Sequence, residues 1–110
     1  MRSGLRLVLA IAFLAACRKD YPTDIPGWVA DRIRDCRKPF HRCNGLEILE
    51  YAGLGQRWFY FVERDNGSDE LYRESAELVC TGQGMFIHEE QCSAVVLDSL
   101  HLVRQVWQEK

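Results

Sequence analysis

Apolar and polar residues alternate along this chain in several distinct patterns. The first is an unbroken apolar run, Leu7 to Ala16. The second is WVADRIRDC, where Trp28, Val29, Ile33 and Cys36 recur at helical spacing with charges between them. This predicts a helix from about 26 to 37, ended by Pro39. From Leu46 the period shortens. LEILEY alternates imperfectly, Ala52-Gly53-Leu54-Gly55 reads as a turn, and RWFYFVE over 57–63 is rich in aromatic and β-branched residues. Together they predict a β-hairpin. After the turn signal Asp65-Asn66-Gly67-Ser68 come two short strand candidates, 70–73 and 77–81, around Glu74-Ser75-Ala76. Cys92, Val96 and Leu100 share a helical stripe, so a second helix is expected over 92–101. The ending LVRQVW is ambiguous: Val103 and Trp107 extend that stripe, but the segment also reads as a last strand. The expected fold is α+β: an antiparallel meander of three or four strands packed with an N-terminal and a C-terminal helix, and braced by disulfides.

Ten apolar residues fall well short of the roughly 20 that span a bilayer as a helix. With Arg2 and Arg6 ahead of it, the run reads as the core of an export signal. It closes on Leu14-Ala15-Ala16-Cys17, which resembles the bacterial lipobox at every position. The resemblance implies cleavage between Ala16 and Cys17. It also implies a diacylglyceryl thioether on the Cys17 sulfur and acylation of the freed amine. Small residues at 15 and 16 would give the protease access. Two or three acyl chains anchor a protein stably, whereas one does not. Arg18, rather than an aspartate, follows the cysteine. By resemblance to Gram-negative sorting, this implies the outer membrane, with the domain in the periplasm. The chain divides accordingly into a signal peptide over 1–16, a lipidated tether over 17–25 and one domain over 26–110. Eight extended residues, 18–25, reach at most about 28 Å.

The other four cysteines, Cys36, Cys43, Cys80 and Cys92, are an even set in a small exported domain and read as disulfides. Three pairings are possible. Cys36–Cys43 and Cys80–Cys92 are favoured because each spans one turn or loop. Zinc would want closer Cys-x₂₋₄-Cys spacing.

The order of motifs resembles a family of small bacterial lipoproteins of unknown function, over roughly residues 25–108. The resemblance runs through Trp28, the strands ILEY and WFYFVE, and Glu70-Leu71-Tyr72. It continues with Leu78-Val79-Cys80, the glycines at 82–84, Cys92 and the closing Val106-Trp107. Family members carry Leu-Tyr-Asp where this chain has Arg73 after Tyr72, and Cys36 and Cys43 look like an addition. The resemblance implies no activity.

Composition narrows the function. Hydrophobic residues make up 47% and charged residues 27% of 110, the balance of a globular domain. Once Arg2 and Arg6 leave with the signal, the mature net charge is −4. That disfavours nucleic acid, which wants a basic face. His88-Glu89-Glu90 lacks the second histidine of a zinc-protease motif, because Cys92 stands there instead. His41 and His101 have no carboxylate at ligand spacing, and Ser75, Ser93 and Ser99 lie in no nucleophile elbow. Gly82-Gln83-Gly84 lacks the lysine of a phosphate loop. Asp65, Asp69, Glu70 and Glu74 are too sparse for a calcium loop. No catalytic residue, metal or cofactor is therefore expected. In the aromatic run, Trp58 and Tyr60 fall on one face of the strand, Phe59 and Phe61 on the other. One face should pack under the helices; the other either meets a second helix as core, the favoured reading, or is exposed as a binding surface, with Trp58 and Tyr60 as the candidates. The expected function is a non-enzymatic interaction or structural module of the envelope. It would be held to the membrane by lipid on Cys17 and would engage an envelope protein. The alternative is a small inhibitor of periplasmic or secreted hydrolases, presenting the loop from Gly82 to Glu90.

Overall fold

The computed structural model describes residues 20–83 and 98–110. Helix α1 spans Gly27–Cys36. Five strands follow: β1 (Leu46–Gly53), β2 (Gln56–Glu63), β3 (Ser68–Arg73), β4 (Leu78–Gln83) and β5 (His101–Gln108). They form one antiparallel sheet in the order β4-β3-β2-β1-β5. The first four strands are a plain meander. The last returns to the free edge of the first.

Helix α1 starts where Pro26 fixes the backbone and its carbonyl accepts the N–H groups of Val29 and Ala30, at 3.0 and 3.2 Å. Arg34, in the last turn, lies where the helix dipole favours a cation. Its buried residues, Val29, Ile33 and Cys36, form the stripe that the spacing predicts.

Between β1 and β2 the loop is two residues, Leu54 and Gly55, at φ 54° and 78°. Both left-handed positions match the primed turn that a right-twisted hairpin requires. This turn pairs Gly53 with Gln56 and so sets the whole register, out to Leu46 opposite Glu63. At the next turn Asn66 Oδ1 accepts the Ser68 N–H at 3.0 Å, and Gly67 N–H bonds Glu63 O at 2.8 Å.

The two faces bury separate clusters. On one, Leu46, Ile48, Phe59 and Phe61 meet Val29, Ile33 and Cys36 of the helix, together with Tyr21, Val106 and Trp107. Trp28 stacks on Phe61 at 5.8 Å and meets Tyr72 at 5.3 Å, while its Nε1 donates to Glu74 O at 2.8 Å. On the other face Trp58, Leu71 and Leu100 are buried, flanked by Tyr51, Tyr60 and Cys80. The aromatic run therefore divides as the alternation predicts.

The expected fold class is overturned. Among the described residues the chain is mainly a five-stranded antiparallel sheet with one short helix, α1, not a meander between two helices. The helix expected over 92–101 lies largely outside the described residues, of which Asp98 and Ser99 are helical. The chain from His101 onward is strand. The helical stripe there was misleading for a physical reason. The β1–β5 register slips twice, between Ile48 and Leu49 and between Glu50 and Tyr51. Trp107 and Gln105 face the first pair, and Arg104 and Leu102 the second. Val106 and Val103 are thus the extra, bulged residues, and a bulge breaks the period of two. Val106 and Trp107 are both buried although adjacent in sequence.

Candidate functional site

The end of the domain that carries the first described residue, Asp20, is built from three segments far apart in sequence. Asp20 stands three residues after Cys17. One of its carboxylate oxygens accepts the Arg37 guanidinium at 3.0 Å, and the other accepts Trp107 Nε1–H at 3.3 Å. Tyr21 follows, buried in the main core at 7% exposure. Of the stretch read as a tether, residues 20–25 therefore lie against the domain, because Tyr21 and Ile25 supply apolar surface to its core.

The loop from Arg37 to Arg42 is closed at its base by the Cys36–Cys43 disulfide. Glu109 clamps the same base: its two carboxylate oxygens accept Cys43 N–H and Gly45 N–H, each at 2.9 Å. Within the loop Phe40 is fully exposed and adopts φ 62°, a left-handed conformation unusual for a bulky residue. Arg37, Lys38, Pro39, His41 and Arg42 are all exposed around it. Cys36, Cys43 and Glu109 bring potential ligand atoms within 4.8 Å of one another. They make a poor metal centre, since the sulfurs are oxidised to a disulfide and both Glu109 oxygens already accept backbone donors.

A second polar cluster lies farther along β1. Glu50 is buried at 5% exposure. Arg57 donates to it from Nε at 3.1 Å and Arg104 from Nε at 2.9 Å. Arg57 also reaches Glu74 at 3.0 Å and the Asp24 carbonyl at 3.1 Å, while Arg104 reaches the Asp24 carboxylate at 2.7 Å. The hydrogen bond from Arg104 holds the Asp24 carboxyl below its ordinary pKa. Bonding to Glu50 raises the Arg57 guanidinium, and bonding to Asp24 raises that of Arg104. The cluster fastens the N-terminal segment, the β3–β4 turn and β5 together. A third polar group, on the other face, joins Glu47 to Arg64 and to Gln105 Nε2, the latter at 2.6 Å.

The residues singled out from sequence fall in different places. Ala16, Cys17, Cys92, Ser93 and His88-Glu89-Glu90 lie outside the described residues, as does most of the Gly82 to Glu90 loop. The Cys36–Cys43 disulfide is present. Cys80 is disulfide-bonded too, with its partner outside the described residues. Trp58 is core, 3% exposed, with Nε1 bonded to Gly53 O at 2.9 Å. Tyr60 is half-buried and donates its hydroxyl to Asp69. The Trp58 and Tyr60 face is therefore largely occupied by the second core cluster.

Sequence reasoning passed over Asp20, Tyr21, Phe40, Glu50, Arg57, Arg104 and Glu109. One of these relations had a readable signal. Once the two-residue turn sets the hairpin register, Glu50 and Arg57 become same-face diagonal neighbours. Among the described residues no helix is long and apolar enough to cross a membrane. No protein-family model, curated protein or solved structure matches the chain.

Proposed function

We propose that this protein is a lipid-anchored component of the bacterial envelope whose domain engages a protein partner and catalyses no reaction. The lipobox resemblance at Leu14 to Cys17 supports the anchor, and Arg18 after the cysteine supports the outer membrane facing the periplasm. The motif order over 25–108 supports kinship with small lipoproteins of unknown function. Inhibition of a hydrolase through the Gly82 to Glu90 loop is the alternative.

The observation that carries the partner is the outer edge of β5. Among the described residues no strand pairs with that edge, since β5 closes the sheet order. Leu102 is 56% and Val103 48% exposed there. Sheet edges are ordinarily blunted by charge or covered, because unpaired backbone groups recruit another strand. Among the described residues this edge is uncovered and carries apolar side chains, which suits an extended partner segment that adds a strand. The strand runs from this patch back to Trp107, which bonds Asp20 beside the anchor. At about 3.4 Å per residue, Leu102 stands roughly 17 Å farther along the strand than Trp107.

Metabolic labelling with palmitate tests the anchor. Wild-type protein is labelled and processed, and Cys17→Ala accumulates as an unlabelled precursor; a processed, labelled Cys17→Ala product overturns it. Photo-crosslinking from position 103 in intact cells tests the edge. A discrete adduct with an envelope protein, lost on Leu102→Lys, is expected. No adduct, or an adduct indifferent to Leu102→Lys, overturns the edge assignment.

A further inference from the structure

We propose that the disulfide-closed loop from Arg37 to Arg42 is a second membrane contact, docking on anionic phospholipid beside the acyl anchor. The inference rests on the lipoprotein reading for its geometry. Asp20 is three residues from Cys17, and three residues of chain reach at most about 11 Å. Asp20 is ion-paired to Arg37, the first residue of the loop. A lipid on Cys17 therefore brings the loop to the bilayer surface.

The chemistry of the loop suits that surface. It reads Arg-Lys-Pro-Phe-His-Arg, three cations and a histidine with no acid among them, in a mature chain whose net charge is −4. Within the patch Asp20 pairs with Arg37, Asp31 with Arg34 and Asp35 with Lys38, all exposed ion pairs, which leaves Arg42 as the loop's cation without one among the described residues. His41 has no ion pair among them either. Arg34, Arg37 and Lys38 also line a shallow, open cleft with Tyr21 and Pro39.

Phe40 completes the pattern. It is the most exposed of the large hydrophobic residues described, and its left-handed backbone points the ring away from the domain. Strained, exposed positions of this kind persist where the surroundings hold them, and they cluster at functional places. Here Pro39, the disulfide and the Glu109 clamp hold it. An aromatic ring flanked by cations is the composition that seats in the headgroup layer. Its burial there is worth about tenfold to a hundredfold in partitioning. A cation without a protein carboxylate beside it, here Arg42, adds about fivefold near an anionic surface.

The test is vesicle co-sedimentation of the mature chain, Cys17 to Lys110, carrying Cys17→Ser so that no acyl chain contributes. Both described core clusters draw only on residues from Tyr21 onward, all of which this chain keeps. Vesicles are phosphatidylcholine alone, or with about a third phosphatidylglycerol. The expected result is binding to the anionic vesicles, at least about tenfold stronger than to neutral ones and suppressed by 0.5 M salt on the order expected from a Debye length of about 4 Å. Phe40→Ser, and separately Lys38→Glu with Arg42→Glu, should each lower it at least about tenfold with unchanged circular dichroism. Equal binding to both vesicle types, no binding to either, or binding indifferent to both variants overturns the proposal. Because the probe carries no lipid, failure of the anchor reading appears only in the palmitate labelling, and failure of the loop only here.

Discussion

Asp20 and Trp107 stand 87 positions apart and are joined by a hydrogen bond from the indole Nε1 to a carboxylate oxygen. The bond ties the first described residue to the last strand of the sheet. Asp20→Ala removes both this bond and the ion pair to Arg37. The expected loss is about 1 kcal/mol, since the Asp20 and Arg37 side chains are both about half exposed. Chemical denaturation would show the midpoint falling with an unchanged slope. Trp107→Phe keeps most of the apolar contact and should cost less than Trp107→Ala.

Glu50 neutralises two guanidiniums at once. Glu50→Gln keeps the shape but removes the charge, leaving Arg57 and Arg104 facing each other across a half-buried site. Loss of one partner from a fully buried pair costs about 3–5 kcal/mol. Both arginines are about one-third exposed, so roughly 2 kcal/mol is expected here. A variant as stable as wild type would show that the cluster is screened by solvent.

Gly53 is required by a close approach. A Cβ added there would meet the Ser99 carbonyl and the Leu100 side chain, each at 2.7 Å. The carbonyl is backbone and cannot step aside cheaply. Gly53→Ala should therefore destabilise by about 1–3 kcal/mol. It should also disturb the bond that Trp58 Nε1 makes to the Gly53 carbonyl, read out as a shift in near-ultraviolet circular dichroism.

The disulfide closes a short loop, so its removal costs about 2–3 kcal/mol on the chain-entropy account. Cys36→Ser with Cys43→Ser should lower the melting temperature and raise proteolysis between Arg37 and Arg42. Cleavage confined to other regions would show that the Glu109 clamp suffices alone.

Acid should release the N-terminal segment. The Asp24 carboxyl is lowered in the folded protein by Arg104, so its contribution is present above the ordinary carboxylate range. It is lost as pH falls through the lowered folded value. The melting-temperature difference between wild type and Asp24→Asn should be constant above the ordinary carboxylate range and shrink toward zero as the pH falls through the lowered folded value. A difference that persists in acid would assign the effect of the substitution to something other than charge.

Much of the hairpin and the helix was written in local pattern. Val29, Ile33 and Cys36 recur at helical spacing, Pro26 and Pro39 bracket them, and Leu54-Gly55 takes the conformation of a two-residue turn. The alternation of Trp58-Phe59-Tyr60-Phe61 follows from the period of a strand. These relations hold within about a dozen residues, where backbone geometry alone decides which side chains share a face. The short spacing of Cys36 and Cys43 made their bond legible for the same reason.

What only the tertiary structure decided depends on partners distant in sequence. β1 leaves one edge free after its hairpin, and the last segment pairs with it; two bulges erase the alternation that would have announced a strand. Asp20, Tyr21 and Asp24 look like polar tether until the core that takes Tyr21 and the arginines that take the two aspartates are in place. Phe40 reads as an ordinary apolar residue, and only the closed loop shows it turned outward. The proposed lipid anchor is different in kind: its support is the linear pattern Leu14-Ala15-Ala16-Cys17, which depends on no tertiary contact, so the sequence alone could propose it.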